Sequence, residues 1–129
     1  MSGQFNAITA QGRTDPNQNT GISIQNATIK AAQDLAPVKE YSRTVYMQSF
    51  MDSLIAPAGW HEWNGNFSLS TLYYAEYDNT GPGSNTANRV NWPGYHVIDA
   101  TDAANFTVSN FLVGNDWVPQ TSVPYQTSL

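Results

Sequence analysis

At 129 residues the chain has the length of a single domain, residues 1–129, large enough to bury a core. Hydrophobic residues at 40% and aromatics at 12% exclude a disordered chain, and a net charge of −5 with scattered basic residues excludes a phosphate-neutralising surface and hence nucleic acid. Cysteine is absent, which removes disulfide and thiolate chemistry.

The chain opens on Met1-Ser2-Gly3-Gln4, with neither a basic start nor an apolar run, so the expectation is no signal peptide and no membrane span. Thr9 to Gly21 reads T-A-Q-G-R-T-D-P-N-Q-N-T-G, a dense series of turn formers in which Asp15, before Pro16, is placed to bond local amides. Gly21-Ile22-Ser23-Ile24-Gln25 alternates apolar and polar residues, as a strand with one buried face does, and Ala27 to Ala31 repeats this after a break at Asn26. Thr44 to Gln48 alternates again and is followed by a strand candidate from Phe50 to Ile55. Overlaying Ile22 to Asn26 on Val45 to Ser49 gives an internal repeat of roughly 23 residues, within the range of solenoid periods.

Leu72 to Tyr77 is the next strand candidate, and its tyrosines on both faces predict packing between the body and a covering segment. Gly81 to Asn85 is a loop, and Val90 to Trp92 and Tyr95 to Ile98 are short strands around Pro93-Gly94. Thr101 to Asn105 and Thr107 to Leu112 are short helices, each with a threonine placed to cap it. The final residues, with Pro119 and Pro124, form an extended tail. Short strands joined by small polar corners at this period predict an all-β chain folded as a right-handed parallel β-helix of few coils.

Thr9 to Gly21, Lys39 to Ser49 (K-E-Y-S-R-T-V-Y-M-Q-S), Pro57 to Phe67 (P-A-G-W-H-E-W-N-G-N-F), Thr71 to Gly83 and Trp92 to Ile98 together resemble the plant pectin methylesterases. The resemblance covers nearly the whole chain but only the C-terminal part of such an enzyme. It implies the same right-handed β-helix, secretion to the cell wall, and an activity on the methyl esters of homogalacturonan. The family uses one aspartate as nucleophile and another as proton shuttle, with glutamines for the oxyanion and a loop arginine to orient the nucleophile. None of these has a matching position here. Relatives carry a loop of about a dozen residues ending in leucine-glycine-arginine-proline-tryptophan, whereas here Val38 runs straight into Lys39, which brings the repeat down to one plain coil. Catalytic residues are accordingly expected to be none.

Trp60 is the one position to which a substrate-contact role carries over, as an aromatic lining the pectin cleft; packing under the Pro57 loop is the competing reading. Trp63 resembles a framework position. His61 and His96 lack acidic or cysteine partners at ligand spacing, so no metal and no cofactor is expected. Arg43, near Glu40, is read as part of a solvated face. Asn26-Ala27-Thr28, Asn66-Phe67-Ser68 and Asn105-Phe106-Thr107 are formal glycosylation sequons. Acidity disfavours attraction to demethylated pectin, a polyanion, but leaves methylated pectin as a partner. The expected function is a catalytically incompetent scaffold that self-associates through an uncovered β-helix end near Phe5 to Ala10. The alternatives are an esterase active only with missing upstream parts and a pectin-binding module.

Overall fold

The computed structural model describes residues 13–29, 40–62 and 64–129. The chain forms two compact units, Met1–Val97 and Ile98–Leu129. The first holds β1 (Ile22–Gln25), β2 (Thr28–Ile29), β3 (Arg43–Met47), β4 (Phe50–Met51), β5 (Tyr73–Tyr77) and β6 (Tyr95–Val97). Among the described residues all pairings are parallel: one sheet runs β1-β3-β5-β6 and a second pairs β2 with β4. The chain winds repeatedly between the two sheets, which is the arrangement of a parallel β-helix.

The bend between the sheets has one recurrent cause. Asn26, Gln48 and Asp78 each follow the last residue of a strand, and each takes a left-handed backbone, with φ of 51°, 48° and 46°. Short polar side chains tolerate this region better than branched ones. The corners stack: the Asn26 N–H donates to Met47 O at 3.3 Å and the Gln48 N–H to Tyr77 O at 2.9 Å. Gln25 Nε2 donates to Gln48 Oε1 at 3.0 Å, and Asn79 bonds both Ser49 N (3.0 Å) and Tyr46 O (3.1 Å). Amide side chains thus satisfy backbone groups that neither ladder reaches.

The register corrects the repeat inferred from pattern. Ile22 lies over Thr44 and Ile24 over Tyr46, a spacing of 22 positions rather than about 23. A one-residue difference moves every side chain to the other face, and superposition of Asn26 on Gln48 decides which spacing holds. The next coil is longer, with Thr44 over Tyr74 and Tyr46 over Glu76. Both faces of β3 and β5 are closed. Val45, Met47 and Ala75, at 0% exposure, line one face; Tyr46, Tyr74 and Glu76 line the other.

Three further expectations are corrected. The strand expected from Phe50 to Ile55 ends at Met51, because Asp52 turns the chain through bonds to Ser53 N and Ile55 N. Val90 to Trp92 forms no strand: Val90 N–H donates to the Ala58 loop carbonyl, and Trp92 O closes a turn with Tyr95 N. In the second unit α1 spans Ala100–Ala104 and is capped by Asp99 rather than Thr101, while α2, Val108–Leu112, is capped by Thr107 as its sequence suggests. Two 3-10 turns, Gly114–Asp116 and Val118–Thr121, follow; residues 123–129 have no regular structure, and Thr127 O accepts from Ser109 N at 3.2 Å. Phe5 to Ala10, the Val38–Lys39 junction and Trp63 lie outside the described residues.

Candidate functional site

Within the first unit, the face of the large sheet carrying Tyr46, Tyr74 and Glu76 is covered by two loops, and the cover centres on Trp60. Its ring stacks on Tyr74 at 4.2 Å between centroids and 25° between planes, and it meets Tyr46 at 5.7 Å and Tyr95 at 6.3 Å in tilted contacts. Such aromatic packing supplies both area and orientation. The indole Nε1 donates to Glu76 Oε1 at 3.0 Å, which fixes the ring's rotation as well as its depth. Trp60 is half-buried.

Glu76 is a buried acid in the middle of β5, and it is fully provided for. Oε1 accepts from Arg89 Nε (2.8 Å), Trp60 Nε1 (3.0 Å) and Tyr95 Oη (3.3 Å), and Oε2 accepts from Arg89 Nη2 (3.1 Å). The fork-to-fork geometry between guanidinium and carboxylate is the strong form of this pair. The two side chains are 2% and 3% exposed, so each would be a costly buried charge without the other. Arg89 spends its remaining donors on loop carbonyls, Pro57 O at 3.0 Å and Gly83 O at 2.7 Å, with Met51 Sδ at 3.8 Å. One side chain therefore pins the 51–60 loop and the 81–89 loop to the sheet. Gly59 makes room for it: at φ +69°, a Cβ there would lie 2.5 Å from Arg89 Cδ. Burial, and then the Glu76 charge, hold the Tyr95 phenol well above its ordinary range. Burial also raises the Tyr74 phenol, against a hydrogen bond with Ser42.

Chemically this cluster is closed. A carboxylate acting as nucleophile or base must be able to reach its substrate, and Glu76 is 3% exposed beneath four donors, three on Oε1 and one on Oε2. The remaining acids of the described residues are exposed or half-buried. Asp15 Oδ1 accepts from Asn17 N at 2.9 Å inside its turn, and Arg13 braces that turn by bonding Asp15 O and Pro16 O. His61 engages Glu62 next to it, and His96 stacks on Tyr73 at 4.8 Å. No group of three or more metal-ligating side chains occurs among the described residues. A polar cavity of about 180 Å³ lies beside Glu76, Asn79, Ser84 and Thr86, well below the size that encloses a drug-sized ligand.

Pattern reading singled out Trp60 but missed Glu76, Arg89 and Tyr95. One signal was present: Glu76 stands next to Tyr77 and two residues from Tyr74 in a strand with bulky residues on both faces, where a charge demands a buried partner.

The pectinesterase family model matches residues 1–115. Probable pectinesterase/pectinesterase inhibitor 7 of Arabidopsis thaliana is 64% identical across all of this chain, and pectinesterase 2 of Citrus sinensis is 58% identical across 96% of it. The chain spans 24% and 27% of the length of these two relatives. The Arabidopsis alignment runs over 141 positions against 129 residues here, so it contains 12 positions that this chain does not fill. Among solved structures, the pectin methylesterase from carrot superposes with a TM-score of 0.92 at 51% identity, covering all of this chain and 44% of that one. The pectin methylesterase from Aspergillus niger, in deglycosylated form, superposes over 87% of this chain and 37% of its own, with a TM-score of 0.65 at 26% identity. On sequence and on superposition alike, the chain belongs to the pectinesterase family.

Proposed function

We propose that this chain is a right-handed, few-coil section of a pectin methylesterase β-helix that performs no ester hydrolysis by itself and serves as a structural wall for the family's pectin-handling surface. The observation that carries this reading is the burial of Glu76, the one buried carboxylate of the described residues, in bonds from Arg89, Trp60 and Tyr95. Ester attack needs a carboxylate within reach of substrate beside a second acid; Glu76 is 3% exposed and its bonded partners are Arg89, Trp60 and Tyr95, none of them an acid. Methanol release from methylated homogalacturonan tests it: the chain alone is expected to match buffer. Release above buffer that vanishes on a single carboxylate substitution would overturn the reading.

The superposition on the carrot enzyme supports a second reading, that the chain contributes to pectinesterase activity when upstream coils are supplied. Co-expression with the upstream part of a close relative should then generate methanol release that neither piece has alone. Methylated pectin contacts the wall at Trp60 in either case. Titration with methylated oligogalacturonides should weaken on Trp60→Ala, and equal binding by both proteins removes that role. Self-association through the β-helix end is the remaining part of the proposal; a monomer by sedimentation at tens of micromolar counts against it. Secretion to the cell wall completes the reading and follows from the family.

A further inference from the structure

The three sequons stand in different surroundings once the fold is known. N-linked attachment uses the asparagine Nδ2 and the hydroxyl two residues later, and the folded surface must let a bulky, solvated glycan depart from it. Asn26 occupies a left-handed corner between β1 and β2, its N–H donating to Met47 O, and its Thr28 lies within β2 opposite Phe50. Asn105 ends α1, and its Nδ2 faces Thr101 O at 3.5 Å. The hydroxyl of that sequon belongs to Thr107, which is 2% exposed, donates to Ala104 O at 2.8 Å and caps α2. Both sequons are thus tied into secondary structure.

Asn66 differs on each point. It is exposed within the 64–71 turn, and neither its amide nor the Ser68 hydroxyl bonds any other described residue. Gly65 beside it, at φ +52°, has nothing within 4 Å of the position a Cβ would occupy, so the space around the turn is open. Ser68 has φ 61°, and its carbonyl closes the turn through Thr71 N at 3.0 Å and Leu72 N at 2.9 Å. The backbone holds the turn, and neither sequon side chain is used to close it. Between them Phe67 is 45% exposed, an apolar surface that a glycan would shield.

We propose that Asn66 is the N-glycan acceptor of this chain, favoured over Asn26 and Asn105. In the transfer, Nδ2 attacks the anomeric C1 of an oligosaccharide carried on a lipid diphosphate. The N–C1 bond forms as the C1–O bond to phosphate breaks, the lipid diphosphate leaves with that electron pair, and the amide proton passes to a base of the transferase. The proposal rests on the secretory reading, because the transferase meets only chains that enter the secretory lumen.

The experiment separates the two. The full chain is expressed behind an added signal sequence in a eukaryotic secretory host, which forces entry whatever the native route. Peptide mass spectrometry after deglycosylation, which converts an occupied asparagine to aspartate, reads each site. Asn66 should be the most highly occupied of the three, and Asn66→Gln and Ser68→Ala should each remove one glycan. The Ser68 variant keeps the asparagine, so its loss reports the sequon rather than a disturbed turn. Recovery of an unmodified Asn66, or occupancy at Asn26 or Asn105 equal to or above it, overturns the assignment.

Discussion

The two compact units satisfy their polar groups over different chain distances. In the first, Arg89 bonds Gly83 six positions away but also reaches residues 13 to 38 positions away, and Asn79 bonds the Tyr46 carbonyl 33 positions earlier. In the second, the side chains bond locally: Asp99 caps Asp102, Thr107 caps Asn110, Trp117 bonds Leu112 and Asn115 bonds Ser109, all within six residues, with the backbone bond from Ser109 N to Thr127 O the longer exception. Long-range bonds are made only after the loop-closure cost of the whole coil has been met, so they stand or fall together. Local caps form with their own turn and can be lost one at a time.

The largest test of that difference is Arg89→Met. It removes three of the bonds holding the loops and strands Glu76 as a buried charge, which should destabilise the first unit by about 3–5 kcal/mol in denaturant unfolding. Adding Glu76→Leu should recover part of the loss, because the unpaired charge leaves with it; a double variant worse than the single would show that the pair matters mainly for packing. Gly83→Ala comes next. A Cβ there would lie 2.3 Å from the Asp52 carbonyl oxygen, which belongs to backbone and cannot swing aside, so about 1–3 kcal/mol is expected. An unchanged midpoint would mean that the loop floats.

Thr107→Ala should cost about 1 kcal/mol through the lost cap, and its signature should be local. Amide exchange should quicken across Val108–Leu112 and stay unchanged in β3 and β5; faster exchange in the strands would erase the contrast between the units. The smallest effect concerns pH. The Tyr95 phenol is raised above its ordinary value of 10.0 in the folded state. Above pH 10 the unfolded chain therefore sheds a proton that the native state keeps, and stability falls as pH climbs. Tyr95→Phe should flatten that alkaline slope, leaving the part due to Tyr74; an unaltered slope would locate the titration elsewhere.

Most strands were legible because alternation marks a half-buried ladder, and Ile22 to Gln25, Thr44 to Gln48 and Tyr95 to Ile98 all alternate. Alternation says less about the phase between coils. The offset was misread by one because apolar residues were matched to apolar residues, whereas the corner residues set the stacking. Asn26, Gln48 and Asp78 are chemically different, and only their common backbone twist reveals them as equivalent. Thr107 declared itself as a cap; Asp99 displaced Thr101 because its carboxylate accepts from Asp102 N at 3.0 Å. Glu76 among tyrosines signals that a partner is needed, but nothing local names Arg89, since the two meet only when two loops fold over one sheet.

Those three corners carry a consequence for how such a chain can change. They are separated by 22 and 30 residues, yet each returns the backbone to the same starting orientation. Every corner acts as a reset, so excursions of unequal length can be spliced into the intervening stretches without passing an error to the next rung. The 12 positions present in the Arabidopsis alignment and unfilled here are an edit of a kind this spine absorbs. A single residue gained or lost between a strand and its corner would instead turn the faces of that strand inside out. The loops of this chain can be remodelled, while the count at its bends is strict.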